Sequence, residues 1–302
     1  MNADKGAQMN VLKVMLAVLV LAAGASEVVS AATPVPSGRW SFVLNDAKGR
    51  AERPIRVYTY RGRKCDSTCP ILFVIAGEKR NAYDYLEYWE LAADRHSFIV
   101  IAPEFSKDHW PRAAAYNLGD MAEQPNREKW AFSAIEHLFD EVRDGQKDYR
   151  IFGHSAGGQF VQRMAFFLPD NRATVMIAAN PGWYTLPEWR KEKADNPFPY
   201  TLVNAPGGVG EAQLRIALQR RVLLLVGEND SDPDAENLNQ STGAKKQGAS
   251  RIDRGENFFK AITAAATELG VKLGWEFSEV PATAHDGKAM SRVAIEQLYP
   301  KK

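Results

Sequence analysis

Tyr149-Arg150-Ile151-Phe152-Gly153-His154-Ser155-Ala156-Gly157-Gly158-Gln159-Phe160 is the stretch around which the chain is organised. Residues 149–152 form a short apolar and aromatic strand. A tight turn bounded by Gly153 and Gly157 follows, and residues 159–168 carry a helix with one apolar face. Ser155 sits at the tip. A serine on a sharp strand-to-helix turn has its hydroxyl lifted above the sheet. Side chains two residues to either side would collide with the neighbouring strand and helix, so glycine at 153 and 157 supplies room. The helix beyond aims its first N–H groups and the positive end of its dipole at the space over Ser155. G-x-S-x-G in this context is the pattern of an activated nucleophile; the bland alternative is a glycine-rich turn with an innocent serine.

Working outward, apolar runs alternate with amphipathic segments. Residues 71–76, 97–102, 174–178 and 222–226 are continuous apolar runs, and residues 275–280 are a last strand. Such runs suit strands buried on both faces of a mostly parallel sheet. Pro103 is expected to stop the second of them. Helical periodicity marks residues 83–93, 128–143, 211–220, 255–269 and 288–299, while 104–120, 180–206 and 230–254 look like loops. Residues 40–44 and 55–60, joined by the polar turn 45–50, predict an antiparallel edge. Strands alternating with helices from residue 71 imply an α/β fold: one domain, a mostly parallel central sheet, helices on both faces.

Acyl transfer by serine needs a base for its proton and an acid that orients the base. The acid is expected after a later strand. Asp230, four residues past 222–226, is the first choice and Asp232 the second, ahead of Glu228 and Asp234; a solvated acidic loop or a cation site is the other reading of the same residues. His285 follows the last strand and is the expected base. His96 and His137 precede the turn, His109 lies on a rim loop, and His154 is turned aside. An oxyanion needs two N–H donors. One is Ala156; the other comes from the turn after residues 71–76, Glu78 or Gly77. Trp110, Tyr116, Trp183, Tyr184 and Trp189 fall on segments expected over the strand ends, with Trp183 and Tyr184 as substrate contacts.

These stretches resemble the α/β-hydrolase superfamily, and more closely secreted bacterial serine hydrolases related to polyhydroxybutyrate depolymerases and feruloyl esterases. The resemblance runs from about residue 71 to the C-terminus. It rests on Ala76-Gly77-Glu78-Lys79-Arg80-Asn81-Ala82, the turn at Gly153-His154-Ser155-Ala156-Gly157-Gly158, the acid loop 227–230 and His285. It implies the α/β-hydrolase fold, with Ser155 as nucleophile, Asp230 as acid, His285 as base, Glu78 and Ala156 as oxyanion donors, and no cofactor or metal. One departure matters: relatives usually carry His-Gly where this chain has Ala76-Gly77. The backbone donors survive that change, but the imidazole's support of the turn is lost.

The chain has 302 residues, a formal charge of +1 and 45% hydrophobic residues. These are ordinary globular values, and without a basic excess nucleic acid is not expected as a partner. Residues 1–32 read as a secretory signal peptide: Lys5 and Lys13 flank or open an apolar run over 11–23, and Ser30-Ala31-Ala32 offers a cut after Ala31 or Ala32. A membrane anchor is the alternative, but the run is short for a span. The expectation is therefore a secreted or periplasmic protein, free of the membrane after cleavage, with its domain over residues 33–302. Cys65 and Cys69 are the two cysteines; a disulfide suits an oxidising compartment, free thiols being the alternative. The expected activity is hydrolysis of a small or polymeric carboxylic ester. A peptidase or amidase on the same fold, and a non-catalytic binding protein, are the rivals.

Overall fold

The computed structural model describes residues 34–122, 124–193 and 196–299. The signal-peptide expectation over residues 1–32 lies outside them. One sheet of eight strands runs in the order β1-β2-β4-β3-β5-β6-β7-β8. The strands are β1 (Gly38–Leu44), β2 (Ile55–Arg61), β3 (Ile71–Ile75), β4 (Ile99–Glu104), β5 (Tyr149–His154), β6 (Ala173–Ala179), β7 (Val222–Gly227) and β8 (Trp275–Val280). From β4 to β8 all neighbours are parallel; β1 and β2 are the expected antiparallel edge.

The continuous apolar runs are buried on both faces. Ile71, Phe73 and Ile75 enter one core, with the Ala131–Val142, Ala156–Phe167 and Arg251–Leu269 helices. Leu72 and Val74 enter the other, with the Ala82–Glu87, Glu90–His96 and Gly287–Leu298 helices. Each fully buried Leu, Ile, Val or Phe contributes about 1.5–3 kcal/mol of transfer free energy, so this alternation inside an apolar run sets the layers. No helix among the described residues is long and apolar enough to cross a membrane. Cys65 and Cys69 form a disulfide.

Two expectations on the elements are corrected. Pro103 does not stop β4, which runs to Glu104 and pairs Pro103 with Val57. β3 pairs β4 only as far as Ile101, so a missing N–H at Pro103 breaks no bond on that side. The long helix begins at Arg251, not at residue 255. Ser250 caps it, its hydroxyl accepting from Asp253 N while the Asp253 carboxylate accepts from Ser250 N. That S-x-x-D capping box moves Arg251 and Arg254 from a loop onto a rigid helix.

The β1–β2 turn is tied to the Ala131–Val142 helix by His137. Its Nδ1 lies 2.8 and 2.9 Å from the Asp46 carboxylate oxygens and its Nε2 2.8 Å from Glu128 Oε2. Burial alone would lower the His137 pKa, but hydrogen bonds and charge from Asp46 and Glu128 outweigh it and raise it. A raised folded-state pKa stabilises fully below the unfolded value of about 6.5, and the contribution fades as pH rises through the raised value. The melting-temperature gap between wild type and His137→Gln is therefore expected to be widest below about pH 6.5 and to narrow on the alkaline side. A gap independent of pH would refute this.

Candidate active site

β3 is followed by β4 on one side, and the chain then returns to place β5 on the other. The C-terminal ends of β3 and β5 thus meet where the strand order reverses, which is where α/β sheets open a crevice. The turn after β3 and the turn after β5 face each other there. A Cβ on Gly77 would stand 3.6 Å from Ser155 Cβ.

Ser155 has φ 57° and ψ −117°. For a residue with a side chain this costs about 1–3 kcal/mol, and the surroundings enforce it. Ser155 N donates to Ala179 O at 2.9 Å. A Cβ on Gly153 would lie 2.2 Å from Gly157 O, one on Gly157 2.1 Å from Ile75 O, and one on Gly158 2.6 Å from Ala179 O. The turn can close against both neighbouring strands only with glycine at all three positions. Ala156 begins the helix directly after Ser155.

The loops after β7 and β8 are zipped together. Glu228 N donates to Val280 O and Asn229 N to Thr283 O, at 3.0 and 2.9 Å. Asn180, just past β6, accepts from Gly227 N through Oδ1 at 2.7 Å and donates from Nδ2 to Ala284 O at 3.1 Å. This registry places Asp230 Oδ2 2.7 Å from His285 Nδ1. A carboxylate only accepts, so Nδ1 carries the proton and Nε2 is left with its lone pair. The other oxygen, Asp230 Oδ1, accepts from Arg251 Nη1 at 3.0 Å, with Asp230 and Arg251 both buried. Of the other acids considered, Asp232 is exposed and accepts from Asp234 N, and Glu228 accepts from Ala282 N. Neither is hydrogen-bonded to His285, whose ring pairs with Asp230.

His154, just before Ser155, packs its ring against His285 with centroids 4.7 Å apart. Burial, with the charges of His285 and Arg251, pushes its pKa well below the usual histidine range, so it is neutral. Its Nδ1 meets Tyr85 Oη at 2.8 Å. Tyr116 Oη donates to Ala76 O at 2.5 Å. Tyr116 therefore holds the Ala76-Gly77 turn, and Tyr85 Oη lies 3.2 Å from where a Cβ on Gly77 would stand. Glu78, in that turn, lines the cavity beside Ser155.

Beside Ser155 lies a cavity of about 540 Å³, lined by Ser155, Ala156, Glu78, Tyr116, Asn117, Gln159, Trp183 and, from the loop after β7, residues 236–239. Its cations are Arg80, Lys107 and Arg112, against Glu78 and Glu236. Trp183 is in the wall. Tyr184 is not: it is fully buried and stacked on Phe258, its backbone paired with Gln247. The two adjacent aromatics thus have different surroundings, one in the cavity wall and one in the core. Trp110 is buried against Phe105, and Trp189 lies under Arg190 outside this cavity. Among the described residues no group of three or more potential ligands is placed to hold a metal ion.

Arg251, Asn180, Tyr85 and Tyr116 were not singled out as holding the site's geometry by the sequence reading. Only Arg251 had a local signal, the capping box that places it on a helix; the others act through partners far away in the chain.

No protein-family model matches the chain, nor does any curated protein. Solved structures do. The chain is 35% identical to poly(aspartic acid) hydrolase-1 from Sphingomonas sp. KT-1, with 88% of this chain and all of that one covered and a TM-score of 0.81. It is 33% identical to LpqC, a poly(3-hydroxybutyrate) depolymerase from Bordetella parapertussis, covering 87% and 91% of the two chains with a TM-score of 0.78. FphF, a fluorophosphonate-binding serine hydrolase from Staphylococcus aureus, shares the fold at 14% identity, with coverage of 88% and 100% and a TM-score of 0.53.

Proposed function

The chain belongs to the α/β-hydrolase family, and on that premise we propose that it is a secreted serine hydrolase that cleaves carboxylic esters through an acyl-enzyme. The observation that carries this is the line Arg251–Asp230–His285 drawn up beside a strained serine turn. Ser155 Oγ attacks the scissile carbonyl and gives its proton to His285 Nε2. Asp230 holds the imidazole through Nδ1 and balances the imidazolium that forms. The N–H groups of Ala156 and Glu78 take the oxyanion. Collapse breaks the ester bond, and the leaving alkoxide takes the proton from His285. Water then repeats the sequence on the acyl-enzyme, with His285 as base, and releases the acid. The mechanism asks for no cofactor or metal. Secretion rests on the signal-like residues 1–32 and agrees with the Cys65–Cys69 disulfide.

A second reading is supported by the cavity. Arg112 and Lys107 in its wall, and the name of the 35%-identical relative, favour an acidic polymer such as poly(aspartic acid), cleaved at an amide by the same steps. Intact mass after fluorophosphonate treatment, on wild type and on Ser155→Ala, tests the nucleophile. Turnover of chromogenic esters of rising acyl length, beside poly(3-hydroxybutyrate) and poly(aspartic acid), then separates the readings. One adduct on the wild type alone, with turnover, is the expected result. No adduct and no turnover leave a non-catalytic binding protein.

A further inference from the structure

The cavity beside Ser155 contains an amide whose orientation is dictated from behind. Gln159 lies one turn into the helix, its N bonded to Ser155 O at 3.0 Å, and it lines the cavity although only 7% exposed. Its Oε1 receives Asn117 Nδ2 at 2.7 Å and Arg163 Nη1 at 3.2 Å. A guanidinium has donors only, so the atom facing Arg163 must be the oxygen. Nε2 is thereby turned the other way, towards Gly182 in the cavity wall, where a Cβ would stand 3.1 Å from it. No acceptor meets Nε2 among the described residues. Nε2 is thereby left free to donate to an oxygen of a molecule in the cavity.

Arg163, behind Gln159, is fully buried and has no carboxylate partner among the described residues. It donates to Thr185 Oγ1 and Asn117 O and stacks on the Trp183 ring at 4.2 Å, while Nη2 has no partner. Burial pulls its pKa down to about 9, which leaves it cationic at neutral pH. A positive charge without a counter-ion therefore sits beneath the cavity floor, where the low dielectric strengthens its field.

Resting on the serine hydrolase reading, we infer that Gln159 is a specificity-determining residue: its carboxamide N–H donates to a carboxylate on the substrate near the scissile carbonyl, and the uncompensated Arg163 behind it favours that anion over a neutral group. Asn117 and Arg163 act by holding the amide in this orientation.

The test compares p-nitrophenyl hydrogen glutarate with p-nitrophenyl 5-methylhexanoate, in which an isopropyl group replaces the carboxylate. The readout is the ratio of their kcat/KM values. In the wild type the ratio is expected to exceed one. Gln159→Leu removes the donor and is expected to lower it about 10-fold, with the loss in KM for the anionic ester. Gln159→Glu, nearly isosteric, puts a negative charge beside the substrate and is expected to lower the ratio further. Thermal melts check folding, and Gln159→Glu carries the test if Gln159→Leu does not fold. A wild-type ratio below one overturns the inference without reference to any variant, as does a ratio within twofold of wild type in a folded variant. A Ser155 adduct with an unchanged ratio removes the role of Gln159 alone. No adduct and no turnover of either ester remove the hydrolase reading and this inference with it.

Discussion

Asp230→Asn is expected to lower kcat by about 10⁴-fold with the fold intact. The size follows from Arg251. In the wild type, Asp230 Oδ1 accepts from Arg251 Nη1 and Oδ2 from His285 Nδ1. Asparagine keeps the shape but has one acceptor. Arg251 can only donate, so the amide oxygen must face it and the amide NH₂ must face His285. Nδ1 then becomes the acceptor, and the ring proton moves to Nε2, where the lone pair for the Ser155 proton had been. The imidazole is in place in the wrong tautomer. Steady-state kcat on a chromogenic ester, with a thermal melt, checks this. A kcat within 10-fold of wild type would show that Asp230 does not orient the base, and the choice would pass to Asp232.

Gly157→Ala is expected to reduce kcat by at least about 10²-fold and to destabilise the fold by about 1–3 kcal/mol. The added methyl would lie 2.1 Å from Ile75 O and 2.7 Å from Ala76 O, both main-chain atoms of a buried strand and its turn. Neither can swing aside as a flexible side chain can, so the helix must back away from β3. Ala156 N–H rides on that helix and Glu78 N–H on the turn, so the movement widens the gap between the two proposed oxyanion donors. A displacement of about 1 Å at reacting groups is enough for a loss of that order. Gly210→Ala is the control, since its methyl would meet nothing closer than 3.8 Å and its φ is ordinary. Equal melting temperature and kcat for Gly157→Ala and wild type would show that the two strand ends are not the rigid frame described above.

The layers of the fold were legible because their causes are local. A continuous apolar run such as residues 71–75 states its own burial on both faces, and G-x-S-x-G records the close approach of three backbones in its glycines. The positions of Asp230 and His285, the proposed acid and base, were legible too, because each follows a strand that announces itself. Asp230 could be ranked above Asp232, but the two were separated only by the registry between the β7 and β8 loops, which Asn180 ties from a third strand. Trp183 and Tyr184, adjacent and alike in composition, went to different fates: one to the cavity wall, the other to the core against Phe258.

The residues that orient the site were decided at a distance. Tyr85 reaches across 69 positions to His154, Asn117 across 42 to Gln159, and Arg251 across 21 to Asp230. What each does depends on which polar group it meets in the dry interior, where an unmet donor or acceptor is costly, and no spacing along the chain encodes that meeting. The sequence by itself determined the sheet, its helices and the serine turn, because hydrophobic periodicity and glycine sterics act between near neighbours. Only the tertiary structure decided which carboxylate faces His285, which tyrosine holds the Ala76-Gly77 turn and which way the Gln159 amide points, because those are set by hydrogen-bond complementarity between segments that folding alone brings together.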